Sequence, residues 1–141
     1  MELLFLDVEA TGVADEDRLI QVAADYKGRQ RMEYFSSPVP IQKAAMAIHH
    51  ITEEDVADKP RFDGSELQGA LNTLSRNGVA LVAHNAKYDL GMLKKEWVEF
   101  PKFICTLKIA KYLGDTGMEN HQLQYLRYYY DLKVDLGELA P

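Results

Sequence analysis

Met1-Glu2-Leu3-Leu4-Phe5-Leu6-Asp7-Val8-Glu9-Ala10-Thr11-Gly12 opens the chain and decides how the rest is read. Residues 2–8 read as a β-strand, apolar on both faces, the pattern of a strand in the middle of a sheet. The turn at residues 10–13 and the polar run Asp15-Glu16-Asp17 separate it from a second strand over residues 19–26. Lys27-Gly28-Arg29 reads as a hairpin turn and residues 32–35 as a third strand. The chain therefore opens with a three-stranded antiparallel meander.

The pattern then changes. Ser36-Ser37-Pro38-Val39-Pro40 is an extended connector. Short helices are expected over residues 43–48 and 53–56, the second capped by Thr52 with Asp55 three residues on. Leu67, Ala70, Leu71 and Leu74 share one face of a helix over residues 65–76, with Gly78 just past its end. Residues 79–83 are an all-apolar strand that suits a buried parallel position. Asn85 is read as the cap of a helix running to about Trp97. Phe103-Ile104-Cys105 is read as a last strand, with Thr106 capping a helix through Leu113. A final helix over residues 121–130 puts Leu123, Leu126 and Tyr130 on one face. The expected fold is α/β: a mixed sheet, meander plus parallel strands, flanked by helices.

The 141 residues suit one domain, with 47% hydrophobic and 27% charged residues as in ordinary globular proteins. The single cysteine, Cys105, has no partner within the chain and is read as a small core residue, which fits a reducing cytoplasm. No basic, apolar leader and no run of membrane-spanning length is present in the sequence, so no membrane partner is expected. A net charge of −6 argues against coating nucleic acid by charge alone. It leaves room for a metal site, where bound cations reverse the local sign.

Asp7 and Glu9 carry the first chemical content. Strand side chains alternate, so both project from the face that also carries Leu3 and Phe5. At a separation of about 5 Å and an effective dielectric near 20, their repulsion is about 3 kcal/mol. A shared proton, a basic partner or a metal ion must relieve it, unless Glu9 already lies in solvent. Leu81-Val82-Ala83-His84-Asn85-Ala86-Lys87-Tyr88-Asp89 then runs from a buried strand into a helix start. It brings Asp89 to the sheet end where sites of parallel strands gather, although an acid there also simply suits the helix dipole. Three carboxylates make a hard, oxygen-rich donor set that suits Mg²⁺ or Mn²⁺ and not zinc. Two such ions about 3.5–4 Å apart are a common apparatus for phosphodiester hydrolysis.

Phe5-Leu6-Asp7-Val8-Glu9-Ala10-Thr11-Gly12 resembles the first motif of the DEDD exonucleases, and Val82-Ala83-His84-Asn85-Ala86-Lys87-Tyr88-Asp89 resembles their second. Ala45-Met46-Ala47-Ile48-His49-His50-Ile51-Thr52, Val56-Ala57-Asp58-Lys59-Pro60 and Ile104-Cys105-Thr106-Leu107-Lys108-Ile109-Ala110 are similar to the exodeoxyribonuclease X branch. The resemblance implies a ribonuclease-H-like fold, in keeping with the element order, and a 3′→5′ exonuclease that releases nucleotide 5′-monophosphates. It implies that Asp7 bridges two Mg²⁺ or Mn²⁺ ions, that Glu9 ligates one and orients water, and that Asp89 holds the second. Ala10 and Thr11 would lie against the terminal nucleotide, and Ile51 against terminal bases. His49 and His50 lie on the substrate-side loop, where one of them, His50 first, is a candidate for phosphate or sugar, while His84 and Asn85 belong to the second motif. The implied partner is a single-stranded or frayed 3′-end, DNA in preference to RNA.

The family also has a third motif on a C-terminal helix, whose histidine serves as general base and whose aspartate completes the metal site. The sequence ends at Pro141, where that motif is expected to begin. Tyr128-Tyr129-Tyr130-Asp131 has the wrong spacing for the tyrosine variant and is read as the core-facing end of a helix. The expectation is a C-terminally incomplete exonuclease domain over residues 1–141 with weakened activity. An apolar strip of sheet left uncovered by the absent helix would invite self-association. The alternatives are a non-catalytic module that binds nucleic-acid ends and a ribonuclease-H-like endonuclease.

Overall fold

The computed structural model describes residues 1–114 and 117–133. Five strands, β1 (Leu3–Ala10), β2 (Leu19–Tyr26), β3 (Arg29–Tyr34), β4 (Ala80–Ala83) and β5 (Phe103–Cys105), form one sheet in the order β3-β2-β1-β4-β5. The helices are α1 (Lys43–His49), α2 (Glu53–Val56), α3 (Glu66–Arg76), α4 (Ala86–Lys95), α5 (Thr106–Leu113) and α6 (Leu123–Tyr129). β1 pairs antiparallel with β2, and β2 with β3, while β4 runs parallel to both β1 and β5. This is the ribonuclease-H-like mixed sheet that the motif order implied. The meander, Thr52 as the α2 cap and the span of β5 all stand as the sequence suggests.

β1 lies at the centre, but it is not covered equally on both sides. Leu4, Leu6, Val8 and Ala10 are buried and pack with Leu67 and Leu71 of α3 and Met92 and Leu93 of α4. Each such leucine contributes roughly 1.5–3 kcal/mol by leaving water. Phe35 and Phe62 close this core edge to face, with ring centroids 5.1 Å apart. The opposite face is open: Phe5 and Met32 are each 52% exposed. The apolar character of Leu3 and Phe5 was therefore no sign of a second buried face. A cleft of about 680 Å³ runs over this open face, lined by Phe5, Asp7, Ala23, Met32, Val82, His84 and Leu123 among others.

A second, smaller core joins Ile20 of β2 to Ile41, Ile51 and Val56. It fastens the α1–α2 segment beside the end of β1. The capping box of Thr52 and Asp55 starts α2 directly after Ile51.

The C-terminal part departs from the sequence reading. In α6 the buried residue is Leu126, whereas Leu123 and Tyr130 are 58% and 49% exposed. Tyr128 is exposed too, so the tyrosine run faces outward and is not a core-facing helix end. Tyr125 stacks on Tyr129 instead. The expectations for the chain after Lys133 lie outside the described residues. Among the described residues no helix is long and apolar enough to cross a membrane.

Candidate active site

Two sequence-distant elements meet at the end of β1. β4 pairs with β1 only as far as Phe5 opposite Val82, so the stretch of β1 beyond it has no strand partner on that side. α4 fills the place. Its first-turn Asp89 is 2% exposed, and its Oδ1 accepts a hydrogen bond from the Val8 amide at 3.0 Å. Val8 lies between Asp7 and Glu9, whose side chains project from the other face of the strand pleat from Val8. The bond therefore brings Asp89 to the strand that bears Asp7 and Glu9.

Electrostatics reports the same proximity. Burial, followed by the charge of Asp7, pushes the Asp89 carboxyl up to about 7, with the Val8 amide pulling the other way. Glu9 is raised by burial and by Asp7, against a lowering by His49. Asp7 is raised by burial, partly offset by the Val8 amide and His84. Burial and then Glu9, Asp89 and Asp7 push the Tyr88 hydroxyl up to about 12. All four groups sit in one region of negative potential. The donor set is hard oxygen, which suits a small divalent cation. Among the described residues, however, no three His, Cys, Asp or Glu side chains lie together so as to hold a metal ion. Asp7 lines the open cleft, and Glu9 and Asp89 stand outside its lining.

The remaining candidates separate into those with free surface and those without. Ala10 and Thr11 are 2% and 0% exposed. Thr11 spends its hydroxyl on Asp17 at 2.7 Å, its amide on the Arg18 carbonyl and its carbonyl on the Gln42 amide. Neither residue presents a side chain to a nucleotide. Ile51 is 5% exposed inside the second core, so its packing partners are Ile20, Ile41 and Val56 and not a base. The exposed apolar residue of that segment is Ile48, at 78%. His50 is exposed and takes a left-handed backbone (φ 61°) at the end of α1, its amide donating to the Met46 carbonyl.

His84 lines the cleft with Asp7, yet both of its ring nitrogens are engaged: Nδ1 with Thr106 Oγ1 at 2.9 Å and Nε2 with the His121 carbonyl at 2.6 Å. Asn85 makes no capping bond through its side chain. It shapes the motif turn by adopting φ 73°, a conformation that asparagine tolerates better than most residues. Thr106 is likewise the first residue of α5 and not its cap.

Three further residues brace the end of β1 and the loop that follows it. His49 bonds the Ala10 carbonyl through Nε2 at 2.9 Å and accepts the Ile51 amide at Nδ1 at 3.0 Å. The Nδ1 atom is the acceptor of the second bond, and the ring braces the strand end against the loop after α1. Asp17, read as part of a polar turn, is 2% exposed. Lys95, the last residue of α4, donates from Nζ to the carbonyls of Ala14 and Asp17, each at 3.0 Å.

A family model described as Exonuclease (RNase T) matches residues 4–136. Exodeoxyribonuclease 10 of Escherichia coli K12 is 34% identical over 124 residues, which is 79% of this chain and 48% of that protein. The DNA polymerase III epsilon subunit of Treponema pallidum is 36% identical over 98 residues, 64% of this chain and 43% of that one. The chain spans less than half the length of these two relatives. Among solved structures, exonuclease X in complex with 5′ overhanging duplex DNA superimposes with a TM-score of 0.74 at 29% identity, covering 94% of this chain and 75% of that one.

Proposed function

The chain belongs to the RNase T exonuclease family, and on that premise we propose that it is a cation-dependent 3′→5′ exonuclease acting on the single-stranded or frayed 3′-end of DNA. The observation that carries the reading is the bond from the Val8 amide to Asp89, which brings an acid of α4 to the strand that bears Asp7 and Glu9. Asp7, Glu9 and Asp89 would hold two Mg²⁺ or Mn²⁺ ions. Such ions, when bound, activate water and stabilise the charge that develops on the phosphate and the leaving oxygen.

The chain's own residues do the positioning. The Val8 amide fixes Asp89, and His49 fixes the carbonyl that follows Glu9. His50, exposed at the end of α1, would donate to a phosphate or sugar. The 3′→5′ polarity and the nucleotide 5′-monophosphate product rest on the motif resemblance.

All four histidines fall among the described residues, and His49 and His84 have both ring nitrogens bonded within the protein. Neither is free to act as a general base, which must reach the reacting water. The test is nucleotide release from a 3′-end-labelled single strand with Mg²⁺, beside the same strand with a blocked 3′-end. Release of mononucleotides from the free end alone supports the reading. Internal cleavage of the blocked strand turns it toward an endonuclease, and tight end-binding with no cleavage toward a binding module.

A further inference from the structure

We infer that Asp17, a buried carboxylate with no part in the proposed chemistry, is a positioning residue for the acidic site; the inference rests on the nuclease reading above. The segment after Glu9 is folded around this one side chain. Its Oδ1 accepts from the Thr11 hydroxyl at 2.7 Å and its Oδ2 from the Ala14 amide at 2.9 Å. Thr11 Oγ1 accepts in turn from the Arg18 amide at 3.0 Å, and the Thr11 amide donates to the Arg18 carbonyl at 2.9 Å. Gly12 lies so close that any side chain there would collide with the Asp17 carboxylate.

Burying a carboxylate is costly unless it is hydrogen-bonded, and charge-assisted bonds of this kind are the strong ones. Among the described residues no cationic side chain meets the Asp17 carboxylate, so donor dipoles hold it. Lys95 addresses the loop differently. At the end of α4 it donates to the main-chain oxygens of Ala14 and Asp17, while Arg18 returns a bond to the Lys95 carbonyl at 3.3 Å. The loop thus joins the strand end that carries Glu9 to the helix that carries Asp89. A bonded network that orients ligand-bearing elements without touching the ion is the ordinary role of an outer shell, and loss of such partners typically weakens metal binding about 10–100-fold.

The test uses the full chain and Mn²⁺ alone, with free Mn²⁺ read by its paramagnetic resonance signal, well below the melting temperature of every variant. Asp17→Asn leaves one acceptor and turns an N–H₂ toward a donor. It should weaken Mn²⁺ binding by about tenfold. Thr11→Val should do the same, and the double variant should be no worse than either single one, because Asp17 acts through Thr11. Lys95→Met cuts the tie from the α4 side and should weaken binding by a smaller factor; it decides alone if Asp17→Asn does not fold. Binding within twofold of the unaltered chain in the folded variants overturns the inference, as does full additivity in the double variant. If the unaltered chain itself takes up no Mn²⁺, the metal reading fails first and the inference with it.

Discussion

His84 Nε2 lies 2.6 Å from the carbonyl oxygen of His121, and this bond holds the segment before α6 against the end of β4, beside Asp7. Its partner across the ring, Thr106 Oγ1, stands 3.3 Å from the Ala83 carbonyl, so one imidazole ties β4, α5 and the approach to α6 together. His84→Ala should cost about 1–2 kcal/mol. Amide exchange at Leu126 and Tyr130 should speed up more than exchange in β1. If exchange stays unchanged while KM for a single strand rises, His84 contacts substrate and not the chain.

Removing a negative charge from the site should help the fold and harm the function. Asp7 raises both Glu9 and Asp89, so Asp7→Asn relieves repulsion in the metal-free chain. The expected gain at pH 8 is about 1 kcal/mol, read by thermal melting, together with loss of any stabilisation by Mn²⁺. A variant that melts lower and still responds to Mn²⁺ would contradict the shared-site geometry.

The pH dependence has a defined sign. Asp89 titrates near 7 in the metal-free fold, against an ordinary value of 3.8. The unfolded chain therefore gives up this proton first as pH rises. The associated stability is complete below about pH 4 and is lost between there and about pH 7, a change of at most about 4 kcal/mol. Asp7 and Glu9 are also raised and add in the same direction. The melting temperature without metal should fall from pH 5 to pH 8, Mn²⁺ should restore it at the upper end, and Asp89→Asn should flatten the curve. A metal-free melting temperature that climbs across this window would refute the assignment.

Ile51 and Ile48 offer a direct contrast. Ile51→Ala empties part of the second core and should destabilise by about 2–4 kcal/mol, with KM of the folded fraction little changed. Ile48→Ala, at a side chain 78% exposed, should leave the melting temperature almost where it was. A selective rise in KM for Ile51→Ala would restore the base-packing role that the resemblance implied.

The order of strands and helices along the chain was legible in the sequence, because it depends on local pattern. β1 and β4 are apolar runs that end in chemistry, and each acid sits at a fixed offset from its run. Solvent access was the part that stayed hidden. Nothing in Ala10-Thr11-Gly12 says that Asp17 will fold back beneath it, since the acidic run containing Asp17 has the composition of a solvated turn. Ile51 looks the same to a pattern reader whether it faces a base or Ile20. The tyrosines of α6 suggested a buried face by residue type, whereas their burial depends on which element lies opposite.

The open face also has a measurable consequence. Phe5 and Met32 are half exposed on the face of the sheet where Asp7 also lines the cleft. Exposed apolar surface of this kind marks an interaction site or a tendency to associate. Sedimentation velocity over a hundredfold concentration range should show reversible association, and Phe5→Ser should weaken it by about tenfold. A single monomeric boundary at every concentration would remove this proposal.

Because β4 stops short, a carboxylate takes over where a neighbouring strand would have continued, and Asp89 Oδ1 is effectively stitched into the sheet. The carboxylate sits on a mount as stiff as the backbone it is sewn to, and beside the Val8 bond it keeps free acceptor sites on both oxygens. A cation that took Asp89 as a ligand would therefore meet it in one fixed orientation.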